Sequence, residues 1–251
     1  MNPILQSFGA ALARWLSAPR HHHSASRPTP LDRLRASLRP ADVLLIEGNS
    51  RVSVAIKYLT QSTWSHAALY VGPLEGLAHG DDCFIEADLV EGVRSVGFDA
   101  FAGCHTRICR AVGLSDGERR AVIDYAVNRI GHKYDLKNVV DLARYLVPTP
   151  PVPSNWRRRM IALGSGDPTR AICSSLIADA FQSIRYPILP VFEEAAAATP
   201  ECPDCLAERW HVRHASLYTP RDFDASPYFE VVKPTIESGF DFRKMPWAGA
   251  R

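Results

Sequence analysis

Between residues 42 and 184 the hydrophobic period of this chain changes from strand-like to helical. Residues 42–96 carry short apolar runs and two-residue alternation, broken by one brief helical stretch, and after residue 115 the spacing turns helical. A chain that spends its strands first and its helices second must layer them, which predicts an α+β fold with an antiparallel sheet. Within the first half, Asp42–Glu47 (DVLLIE) reads as a buried strand. Val52, Ala55, Ile56 and Leu59 read as a short helix. Trp64–Val71 reads as a strand ended by Gly72-Pro73, Cys83–Ala87 as a second and Gly92–Val96 as a third, together an antiparallel meander.

In the second half, Ser115 and Glu118 form a capping box, followed by a buried face of Val122, Ile123, Ala126, Val127 and Ile130, with Gly131 as the C′ glycine. Leu136–Leu146 continues as a helix, and VPTPPVP at 147–153 reads as a rigid loop. Ile172, Leu176, Ile177, Ala180, Phe181 and Ile184 then define an amphipathic helix with Cys173 in its first turn.

The 251 residues, 46% apolar, suffice for a sizeable core, and a formal net charge of +2 calls for no polyanion, so nucleic acid is not an expected partner. Six cysteines in a chain of this length do not form a disulfide framework and read as reduced thiols. No apolar run approaches the length of a membrane span, and Arg14 interrupts the one N-terminal apolar stretch, so a secretory signal is not expected. A cytoplasmic location follows.

Residues 1–19 place Ile4, Leu5, Phe8, Leu12, Trp15 and Leu16 on one helical face. We expect that helix to dock on its own domain; the alternative is peripheral contact with a membrane. Pro19–Pro30, with His21, His22 and His23, reads as a linker. The expected organisation is an N-terminal helix and linker over 1–37, a domain over 38–235 and a tail over 236–251.

Cys173 is the residue most suited to chemistry, because the unpaired amides and dipole at a helix start favour a thiolate. It needs a base, and His66, flanked by the small residues Ser65 and Ala67, is the best one available. If the strands pair as a hairpin centred near Gly76, His66 lies opposite Glu86 and Ala68 opposite Phe84. A carboxylate there would fix the imidazole, as the third member of a triad does. Asp88, on the same face, is the reserve carboxylate.

The motifs Pro40-Ala41-Asp42-Val43-Leu44, Trp64-Ser65-His66-Ala67, Phe84-Ile85-Glu86-Ala87, Gly131-His132-Lys133-Tyr134-Asp135 and Ile172-Cys173-Ser174-Ser175-Leu176 come in an order that resembles the YiiX/YaeF-type permuted papain-like enzymes. These are relatives of NlpC-type peptidases and of lecithin:retinol acyltransferase. The resemblance spans about residues 38–232, and Ala41 departs from it where that family has glycine. It implies a circularly permuted papain-like fold, with His66 as base, Glu86 as polar partner, Cys173 as nucleophile and Tyr134 lining the site or aiding an oxyanion. It implies no cofactor. The expected activity is amide hydrolysis through an acyl-enzyme on a small-molecule, peptide or lipid-linked acyl substrate, with acyl transfer or lipid hydrolysis as the alternative. A reading from another class comes from Cys202-Pro203-Asp204-Cys205 with His211 and His214, which would make a zinc-stabilised tail on a non-catalytic domain.

Overall fold

The computed structural model describes residues 18, 27–73, 83–133, 172–196 and 206–244. Its centre is a six-stranded antiparallel sheet in the order β4-β3-β2-β1-β5-β8. The strands are β1 (Val43–Ile46), β2 (His66–Tyr70), β3 (Phe84–Asp88), β4 (Gly92–Val96), β5 (Thr106–Ala111) and β8 (Phe229–Val232). A separate two-stranded ladder pairs β6 (Val191–Ala196) with β7 (Leu206–His211). The fold is therefore α+β, and the β2-β3-β4 meander stands where the strand pattern put it.

Alternate residues of the central strands enter two cores. Val43, Leu45, Ala67, Leu69, Ile85 and Ala87 face one, which helices α3 (Asp116–Val127) and α4 (Ile172–Ser183) close with Val122, Ala126, Ile177 and Phe181. Leu44, Ile46, Ala68, Tyr70, Phe84 and Ile108 face the other, covered by Phe98, Phe101 and Leu34 of helix α1 (Leu31–Ser37). Burial on both faces explains why β1 is apolar throughout rather than alternating. Each fully buried leucine there stabilises the fold by about 1.5–3 kcal/mol.

Helix α2 (Arg51–Thr60) begins at Ser50, whose hydroxyl accepts from the amide of Ser53. Helix α3 has the reciprocal capping box of Ser115 and Glu118 that its sequence predicts. Its end differs from expectation: Asn128, not a glycine, caps the helix in a right-handed conformation. Gly131 lies three residues farther on at φ 85° and turns the chain onto the outer edge of β4. There its amide donates to Val93 O (2.8 Å), while Val93 N donates to His132 O (2.9 Å).

Ala41 adopts a left-handed conformation (φ 71°), the conformation for which a glycine would be the easy choice. The turn is held by its neighbour. Asp42 is buried and accepts from Arg110 through both oxygens (2.9 and 2.7 Å) and from the Arg39 amide (2.8 Å). Among the described residues no helix is long and apolar enough to cross a membrane. The expected helices at 1–19 and 136–146, the loop at 147–153, and Tyr134, Cys202 and Cys205 lie outside the described residues, apart from Ala18.

Candidate active site

The site forms where two strands part. The ladder between β2 and β3 ends at Ala68↔Glu86, while β2 stays paired to β1 through Ile46↔His66 and β3 to β4 through Asp88↔Gly92. His66, the first residue of β2, thus sits at the mouth of the gap, with its side chain 27% exposed. Helix α4 packs against both strands and begins at Ile172, so Cys173 falls in its first turn.

His66 and Glu86 are brought together, but not by the pairing expected. The register is shifted by two residues, so Glu86 faces Ala68, and its carboxylate reaches His66 diagonally. A slip of two residues keeps every side chain on its face, and a glutamate is long enough to span the diagonal. Oε2 lies 2.6 Å from His66 Nε2. Glu86 is almost fully buried. Burial alone would raise its pKa, but the hydrogen bond and charge of His66, then those of Arg94, hold it down to about 2. An ionised carboxylate only accepts, so Nε2–H is the donor. That leaves Nδ1 as the ring nitrogen not taken by Glu86, and Cys173 lies near enough to the imidazole to act on its charge.

This double engagement controls the charge of the ring. Burial lowers the His66 pKa, but the Cys173 thiolate, its hydrogen bond and the Glu86 carboxylate together raise it well above the ordinary histidine value. Burial raises the pKa of both Cys104 and Cys109, which keeps them protonated. No disulfide links Cys83, Cys104, Cys109 or Cys173.

Asp88 does not take part. Its Oδ1 accepts from the amides of Val90 (2.7 Å) and Glu91 (2.9 Å), closing the β3–β4 turn in the way aspartates commonly do. The reserve carboxylate is thus engaged in the turn. Arg94, unnoticed in the sequence, is instead the other neighbour of Glu86. It lies directly across the β3–β4 ladder, and its Nε and Nη2 approach Oε1 to 2.9 and 2.8 Å. The signal was present: a tight turn at 89–91 pairs position 86 with position 94 arithmetically.

Of the alternative metal set, His211 ends β7, and Nδ1 of His214 is engaged with Ser216 through the hydroxyl (2.8 Å) and the amide (3.3 Å). Among the described residues no group of three or more His, Cys, Asp or Glu side chains is arranged to hold a metal ion.

No protein-family model matches the sequence, and no curated protein matches it. Among solved structures, the metalloprotein YiiX from Escherichia coli O157:H7 is similar at 15% identity and a TM-score of 0.45, over 78% of this chain and 97% of that one. At that distance the likeness assigns neither chemistry nor a metal here.

Proposed function

We propose that this protein is a cysteine hydrolase that cleaves an amide, of a peptide or of an acyl chain, through an acyl-enzyme. The observation that carries the reading is the His66 imidazole, engaged on one side by Cys173 at a helix start and on the other by a buried, ionised Glu86. Strand-borne histidine preceding helix-borne cysteine also fits the permuted papain-like arrangement, with residues 38–235 as the catalytic domain.

The steps follow from the proton inventory. In the proposed reaction His66 takes the proton of the Cys173 thiol, the sulfur attacks as thiolate and a carbon–sulfur bond forms at the carbonyl carbon. Charge on the carbonyl oxygen is met by first-turn amides of α4, that of Cys173 among them. The imidazolium gives its proton to the departing amine, and the carbon–nitrogen bond breaks. Water, activated by the now neutral His66, releases the acid and restores the thiol proton to the pair. Glu86 keeps the ring oriented throughout and balances its charge.

Limiting iodoacetamide applied to the folded protein, followed by peptide mapping, tests this. Cys173 should be modified ahead of the other five cysteines, and His66→Ala should slow its modification by about 10²-fold or more. Equal labelling of all six, or no effect of the His66 change, would overturn the proposal.

A further inference from the structure

A chain of contacts leads outward from Glu86 to the protein surface. Glu86 directs Oε2 at His66 and gives Oε1 to the Nε and Nη2 groups of Arg94. Nη1 of Arg94 pairs with Glu91, an exposed residue of the β3–β4 turn, and Asp88 holds that turn through its amide contacts. The strand that carries Arg94 is itself fixed along its outer edge, because Val93 exchanges backbone hydrogen bonds with Gly131 and His132. An arginine on an edge strand would ordinarily extend into water. Here it is held on both sides and is 37% exposed.

Two consequences follow from simple electrostatics. A carboxylate with one oxygen fixed by a planar guanidinium cannot rotate, so its second oxygen stays aimed at the imidazole. Glu86 alone would also bind the imidazolium proton more tightly than a turnover step can use. A positive charge on the far oxygen offsets part of that attraction.

We propose that Arg94 is a positioning residue of this site, holding Glu86 in register with His66 and moderating the carboxylate so that the imidazolium can still release its proton. The inference rests on the hydrolase reading above. The groups that bear on His66 are Cys173 from α4, Glu86 from β3, Arg94 from β4 and Cys104 before β5, with Asp88 and Glu91 at the turn behind Arg94.

The test is an NMR titration of the His66 ring in the full chain, assigned with His66→Gln, for wild type, Arg94→Gln and Arg94→Lys. Removing the charge should move the His66 titration up by about half a pH unit or more, a figure discounted for the partial exposure of the arginine. Lysine keeps the charge but not the two-pronged contact. It should leave the titration within about 0.2 units of wild type while slowing iodoacetamide modification of Cys173, since an unclamped carboxylate orients the ring less well.

An unchanged or lowered titration in Arg94→Gln overturns the proposal, as does a lysine variant that titrates like the glutamine one. If glutamine at 94 prevents folding, the lysine variant decides: wild-type modification rates there overturn the positioning role. Failure of the hydrolase reading looks different, because wild-type Cys173 would then show no preferential modification at all.

Discussion

Nε2 of His66 and Oε2 of Glu86 lie 2.6 Å apart, although Ala68 is the residue paired with Glu86 across the ladder. The contact is a diagonal one and depends on the full length of the glutamate. Glu86→Asp keeps the charge but withdraws the carboxylate by one carbon–carbon bond, and Glu86→Gln keeps the length but loses the charge. Both should slow iodoacetamide modification of Cys173 at neutral pH by about 10²-fold, because the first loses the contact and the second the anion. A wild-type rate in the aspartate variant would show that charge alone suffices and that the diagonal geometry is incidental.

The same carboxylate makes the fold acid-sensitive. Its folded pKa is about 2 against an ordinary 4.5, so its stabilising contribution is fully present above pH 4.5 and is lost as pH falls toward 2. His66 is silent in this window, since its raised pKa leaves it protonated in both states. Asp42 has the opposite sign, because burial raises its pKa, but it acts equally with or without Glu86. Urea unfolding at pH 5 and pH 3 should therefore show wild type losing roughly 2 kcal/mol more than Glu86→Gln over that interval. Equal losses would mean that the Glu86 contacts do not contribute to folding.

The strands β1 to β4 and the capping box of α3 were legible because each rests on a local pattern, and the nearness of His66 to Glu86 was legible from the strands that carry them. The register of β2 against β3 was not. A two-residue slip leaves every apolar residue on its own face, and hydrophobic patterning cannot distinguish the two pairings. Arg94 was passed over although the turn arithmetic sets it across from Glu86, because a charged residue on a strand reads as a solvent-facing one until its cross-ladder partner is considered. Strands β5 and β8 escaped notice because they pair over a long separation, Arg110 with Glu230, and Thr106–Ala111 interleaves arginines with its apolar positions.

Gly92 is the position at which the edge of β4 is most sensitive. Its φ is +81°, and a Cβ there would collide with the carbonyl oxygen of His132. Gly92→Ala should destabilise the protein by about 2 kcal/mol or more, combining backbone strain with an unrelieved contact. Gly117, in helix α3 with open space around it, provides the comparison, and Gly117→Ala should be stabilising by roughly 0.5–1 kcal/mol. Chemical denaturation of both variants checks the pair. A neutral Gly92→Ala would mean that the 131–133 segment is not seated against this strand.

The start of helix α4 is held by Ser174, which is fully buried and donates from Oγ to the carbonyl oxygen of Tyr218 at 2.7 Å. Tyr218 is itself buried, 1% exposed within the main core. Removing the hydroxyl strands that carbonyl without its donor, and Ser174→Ala should cost about 1–3 kcal/mol in urea unfolding. The adjacent Cys173 should also lose alignment with His66, so its modification by iodoacetamide should slow under fully native conditions, where lost stability cannot account for the change. Ser183→Ala, at the exposed end of the same helix, removes a hydroxyl that bonds only within its own turn and should leave both quantities near wild type. If Ser174→Ala lowers stability without touching the rate, the helix start is held by its core packing and the serine contributes to folding alone.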